Sequence, residues 1–193
     1  MTTMPDHASR RGQSLIEVMV AMTMLTIGFL GAIALLSRSL ALNRFTASNV
    51  TATYLASEGV EIAKNLIDHD VFAQEFGGQG TGWGSCFGIG GGSFEIDLTT
   101  GEPGGWGQCG NLVRWSSAPD PLEYNAATHV YGYQNGGVQT AFTRRIDVSY
   151  APNNVNEVTV VSTVFWQGLD GASEKVALED HFYNWYSSTS TAP

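Results

Sequence analysis

The chain has 193 residues, a formal charge of −9, 14% charged residues and 43% hydrophobic ones. That balance excludes a disordered chain and one made wholly of membrane spans. The acidic excess argues against direct binding of nucleic acid and against charge-driven adsorption to anionic lipid.

Residues 1–12 form a short leader that ends Arg10-Arg11-Gly12. Gln13-Ser14-Leu15-Ile16 follows, and then one carboxylate, Glu17. Val18 to Ser37 carries no charge over 20 residues. At about 1.5 Å per residue, such a helix spans roughly 30 Å, the thickness of a bilayer's hydrocarbon core. A cleavable secretory signal has a shorter apolar core with its cut site after it. Here the candidate cut site, Gly12, precedes the run, so the apolar segment is expected to persist. Arg10 and Arg11 place the N-terminus on the cytoplasmic side, although Arg38 and Arg44 follow the span. An ionisable group at the edge of such a segment marks a functional site. The competing reading is an ordinary signal anchor with its glutamate near the headgroups.

Gly12-Gln13-Ser14-Leu15-Ile16-Glu17-Val18 resembles the processing site of type IV prepilins and of type II secretion pseudopilins. Gln13 stands where that family usually has phenylalanine or another hydrophobe. The resemblance implies that a prepilin peptidase cuts between Gly12 and Gln13 and N-methylates Gln13. It further implies that Glu17 pairs with the terminal amine of a neighbouring subunit. A carboxylate at membrane depth costs up to about 2.5–3.5 kcal/mol. Pairing between subunits relieves that cost on docking and so sets register. The implied partners are the peptidase, other pilin or pseudopilin subunits, an inner-membrane assembly platform with its ATPase, and membrane lipid before assembly. The implied location is the inner membrane, single-pass with the N-terminus inside, and then an extracytoplasmic filament.

From Ala41 the helix turns amphipathic. Ala41, Phe45, Ser48, Ala52, Leu55, Gly59, Ile62 and Leu66 fall on one stripe, at alternating spacings of four and three. No proline interrupts Gln13 to Asp68, so a helix of about 56 residues, roughly 84 Å, is expected. Residues 13–37 form its membrane or assembly half and 38–70 its amphipathic half. Gly28 and Gly31 weaken the membrane half, but they also permit close helix approach. Gly59 on the stripe would let a sheet come close to the helix backbone. Glu58 and Glu61 read as a solvated or subunit-facing edge rather than as catalytic groups. Tyr54 to Glu61 resembles a stretch of PilV-like minor pilins.

Residues 71–142 read as a glycine-rich variable region with short strands. Within it, 77–110 holds 14 of the 23 glycines, together with Trp83, Trp106, Cys86 and Cys109. Ser93 to Leu98 alternates as a strand with Phe94, Ile96 and Leu98 on one face. No phosphate-binding glycine motif is present. Two cysteines in an exported domain favour a disulfide between Cys86 and Cys109. It would close a loop of 24 residues, worth about 3.4 kcal/mol on the loop-entropy account. Two free thiols are the alternative. A metal site would need further ligands, and none lies close by.

Residues 143–186 read as an antiparallel meander. Thr143 to Tyr150 alternates with Ile146, Val148 and Tyr150 inward. Glu157 to Trp166 follows, with the inward set ambiguous around Val160-Val161. Glu174 to Trp185 is the third strand, with Val176, Leu178 and Phe182 on one face. A sheet with one apolar face needs a cover, which the helix stripe supplies. Residues 187–193 read as a disordered tail. The order of long helix, variable region and antiparallel sheet again resembles the pilin fold, an α+β class. Phe182-Tyr183-Asn184-Trp185 resembles the PilV-like ending.

The histidines are isolated, and no catalytic motif is present. Asp68-His69-Asp70 reads as the polar end of a helix. Asp170-Gly171 and nearby Glu174 could hold calcium, as loops in some pseudopilins do, but their spacing matches no EF-hand. No cofactor, metal or enzymatic activity is expected. The expected function is a structural subunit, a minor pilin or pseudopilin of a type IV pilus or type II secretion-like filament. The alternative is a membrane-anchored extracytoplasmic binding or adhesion domain that does not polymerise.

Overall fold

The computed structural model describes residues 13–75, 82–88, 90–98, 100, 112–133, 136–152, 154–168 and 171–185. Gly12, Cys109, Asp170 and the 187–193 tail lie outside them. Contacts divide the chain into two units, residues 1–46 and 47–193. One helix, α1, runs Gln13–Glu75 over 63 residues, passing Asp68, where the apolar pattern suggested its end. No proline falls within it, so no backbone donor is missing from its ladder.

In the first unit the side chains of Ser14 to Thr46 are exposed, Leu15, Ile27, Phe29 and Leu35 among them. Thr23 donates to the Val20 carbonyl at 2.8 Å and Thr26 to that of Thr23 at 2.9 Å. Folding the hydroxyls back on the helix hides two polar groups within an apolar run.

In the second unit α1 covers a five-stranded antiparallel sheet. Its strands are β1 (Gly92–Glu95), β2 (Val113–Arg114), β6 (Thr143–Ala151), β7 (Asn154–Gln167) and β8 (Ser173–Tyr183), in the order β2-β1-β6-β7-β8. Between β2 and β6 the chain forms a separate three-stranded sheet, ordered β4-β3-β5. It comprises β3 (Glu123–Asn125), β4 (Val130–Gly132) and β5 (Val138–Gln139). The α+β layout expected from the sequence is therefore the observed one.

The face that α1 buries carries small residues at close spacing. Ala52, Ala56, Gly59 and Ala63 are all buried, flanked by Leu55, Ile62, Leu66 and Ile67. Two apolar clusters result. One joins Ile62, Leu66 and Ile67 to Phe87, Phe94, Ile96, Ile146, Val148, Val158 and Val160. The other joins Ala52, Leu55 and Ala56 to Leu122, Val164 and Trp166. Burial on the stripe begins later than expected: Ala41 and Phe45 are exposed and belong to the first unit.

Register settles the ambiguity on β7. Val158, Val160, Ser162, Val164 and Trp166 face the helix, opposite Ile146 and Val148 of β6, while Val161 turns outward. Leu98, expected inward with Phe94 and Ile96, is instead 50% exposed. The strand stops at Glu95, and alternation is lost in the turn that follows.

Candidate functional site

The junction residues fall on both sides of the described boundary. Gly12 lies outside it, and Gln13 opens α1. Glu17 is one helical turn further on and is exposed. It makes no ion pair among the described residues. The helix that follows contains an 18-residue window of mean hydropathy 2.2, none of it buried within the protein. An apolar surface of that size is unstable in water and requires lipid or other helices around it.

The second unit contains a polar junction that the sequence reading did not anticipate. Arg144 is completely buried. Its Nη1 donates to the Leu55 carbonyl of α1 at 3.1 Å, and its Nη2 to the Ile96 carbonyl after β1 at 2.8 Å. Glu58 Oε2 lies 3.6 Å from Nη1, its side chain 28% exposed. One guanidinium thus ties α1, β6 and the end of β1. The planar fork of arginine can reach two carbonyls at once, which the point charge of lysine cannot. Glu58 is therefore not the solvated edge expected of it, whereas Glu61 is exposed as expected. Burial pushes the Glu58 carboxyl above its ordinary value, outweighing the nearby guanidinium, and the Asp97 charge adds to the rise. Alternation along β6 points Arg144 inward with Ile146 and Val148. The signal was in the sequence, but it concerned a charged residue.

Asp97 and Tyr133 complete the junction. Asp97 is buried, and its Oδ2 accepts the Tyr133 backbone N–H at 2.6 Å. Tyr133 donates its hydroxyl to the Arg144 carbonyl at 3.0 Å. Burial, chiefly, drives the Tyr133 phenol far above its ordinary value.

Gly59 is where the helix comes closest to the sheet. A Cβ built there would sit 2.5 Å from Ser162 Oγ, 2.6 Å from Ile146 Cδ1 and 2.9 Å from Arg144 Cδ. Ile146 and Ser162 are cross-strand partners, so the glycine lies over that pair. The close approach expected at Gly59 is observed.

Farther along α1, Asp70 is buried although Asp68 is exposed. Tyr150 donates its hydroxyl to the Gly84 carbonyl. Burial and then the Asp70 charge push the Tyr150 phenol up to about 12. Cys86 lies in the core beside Leu66 and Phe87 and is disulfide-bonded. On the solvent side of β7 and β8, His181 Nδ1 is 3.0 Å from Glu157 Oε1, and Nε2 is 3.1 Å from Glu179 Oε1. Hydrogen bonds to Glu157 and then to Glu179 raise its pKa. Among the described residues no group of three His, Cys, Asp or Glu side chains is placed to hold a metal ion.

Residues 7–33 match the family model described as the prokaryotic N-terminal methylation motif. No curated protein and no solved structure matches the chain. The match takes in the second half of the leader with Gly12, then Gln13, Glu17 and most of the apolar run, and its family is structural rather than enzymatic. Together with the long apolar helix, the motif supports a type IV pilin-like chain, processed at its N-terminus and anchored as a single-pass membrane protein.

Proposed function

We propose that this chain is a minor pilin or pseudopilin, a non-enzymatic subunit of a type IV pilus or type II secretion-like filament. The observation that carries the reading is the methylation motif set directly against an exposed apolar helix with a single carboxylate at its start. Prepilin peptidase cuts between Gly12 and Gln13 and methylates the new terminus at Gln13. The membrane then stores the helix, N-terminus inside, until an assembly platform and its ATPase draw the subunit into the filament. Glu17 pairs with the methylated amine of a neighbour, an attraction made strong by the low dielectric around it. PilV-like features at Tyr54 to Glu61 and Phe182 to Trp185, Gln13 at the cut site and the large C-terminal domain favour a minor subunit over the abundant one. Cys86 pairs with Cys109, the chain's one other cysteine, and so closes the glycine-rich segment.

The test is co-expression of the chain with and without active prepilin peptidase, with the mature N-terminus read by mass spectrometry. The expected result is loss of residues 1–12 and a methyl group on Gln13. A leader left intact beside active peptidase would reject the reading and leave an anchored, non-polymerising domain. Glu17→Ala should still be cleaved but should enter filaments poorly. Unchanged incorporation would remove the role given to Glu17.

A further inference from the structure

An open hollow of about 400 Å³ lies at the C-terminal end of α1 in the second unit. Asp68, His69 and Phe72 border it from the helix, Trp83 from the segment before Cys86, and Asn184 and Trp185 from the end of β8. Two of its rings are well exposed, Phe72 at 55% and Trp185 at 68%.

The lining combines two chemistries. The flat faces of Trp83, Trp185 and Phe72 favour a ligand with an apolar face. The polar rim supplies an acceptor-only carboxylate at Asp68. The Nδ1 of His69 is buried with no hydrogen-bond partner. An unmet lone pair costs less than an unmet N–H, so the neutral ring keeps its proton on Nε2 and remains a donor. A wholly apolar ligand would strip water from Asp68 without replacing its hydrogen bonds, which is costly. An anion would meet that carboxylate with no Lys or Arg among the described lining residues, on a chain of charge −9. A ligand with an apolar ring face and a rim of hydroxyls satisfies both sets. The volume falls near the lower end for small-molecule pockets and suits one or two sugar rings.

We propose that this hollow is a binding site for neutral saccharides, with Trp185 and Phe72 as stacking surfaces and Asp68 as the acceptor for hydroxyl pairs. The site lies wholly within the second unit, so it does not depend on whether the chain polymerises.

The test uses the full chain in lipid nanodiscs, which avoids glycosidic detergents. Glucose, galactose, N-acetylglucosamine, maltose and lactose are titrated while tryptophan fluorescence and isothermal titration heats are recorded. The expected result is saturable binding of at least one sugar, with a Kd on the order of 1 mM. Trp185→Ala and Asp68→Asn should each weaken it about tenfold while the second unit still melts cooperatively. Val138→Ser on the small sheet should leave binding intact. Lack of saturation by every sugar, or binding indifferent to both variants, would overturn the proposal. So would tighter binding of a proline-rich peptide, which would make the hollow a peptide groove.

Discussion

Replacing Gly59 with alanine sets two effects of opposite sign against each other. Alanine is the better helix former by about 1 kcal/mol, and the backbone at Gly59 is ordinary helix. On an open helix face the substitution would stabilise. Here the new methyl would lie 2.5 Å from Ser162 Oγ, 2.6 Å from Ile146 Cδ1 and 2.9 Å from Arg144 Cδ. Relief by rotation is limited. Ile146 is fully buried, and the guanidinium beyond the Arg144 Cδ is held by two carbonyls. Overpacking of a close-packed core costs about 1–3 kcal/mol, and three simultaneous contacts favour the upper half of that range. The net expectation is destabilisation by about 1–2 kcal/mol. For the second unit, residues 47–193, that corresponds to a fall in Tm of about 3–6 °C, read by tryptophan fluorescence of the full chain in nanodiscs. Ser162 Oγ is the nearest obstacle and has no hydrogen-bond partner, so Ser162→Ala should recover part of the loss in the double variant. Gly28→Ala and Gly31→Ala, where a Cβ meets nothing within 4 Å, should leave this Tm unchanged. A Gly59→Ala variant as stable as the parent, or more so, would refute the close approach.

Three further outcomes follow from the polar groups. Arg144→Met leaves Glu58 and the Ile96 carbonyl without their partner, and breaking a buried pair this way costs about 3–5 kcal/mol; Arg144→Lys should rescue little, and a thermal melt showing full rescue would reduce the junction to simple charge. Glu58 has its pKa raised above the usual 4.5 in the fold, so its contribution to stability is complete below pH 4.5 and is lost as pH rises through the raised value. The Tm of the parent relative to Glu58→Gln should therefore fall between pH 4 and 7, and a rise would mean that Arg144 outweighs burial. The raised pKa of His181 makes its contribution complete below pH 6.5 and lost as pH rises through the folded value; NMR should find its midpoint above 6.5 and lowered by Glu157→Gln, and a midpoint insensitive to Glu157 would discard the pairing.

What the sequence disclosed depended on how far apart the interacting groups lie along the chain. The junction from Gly12 to Glu17 is a linear motif of neighbouring residues, so nothing distant is needed to see it. Long strands were visible for the same reason: β6 and β7 run nine and 14 residues, enough for alternation to repeat. Strands β2 to β5 have two or three residues each, too few to establish a period. Glu58 reads as a solvated or subunit-facing edge, and Arg144, although alternation along β6 points it inward, has no visible partner until the fold brings the two together. Gly59 and Ser162 show the same dependence. Gly59 on the apolar stripe announces a close approach, but the groups it meets, Ser162 Oγ, Ile146 Cδ1 and Arg144 Cδ, lie far along the chain and are named only by the fold. The separation also has a consequence for function. If cleavage reads only the linear segment, Arg144→Met should leave removal of residues 1–12 intact while it destabilises the second unit, and Glu17→Ala should spare both cleavage and the fold while impairing incorporation. A chain in which damage to the Arg144 junction abolished cleavage would require the peptidase to read the folded domain as well.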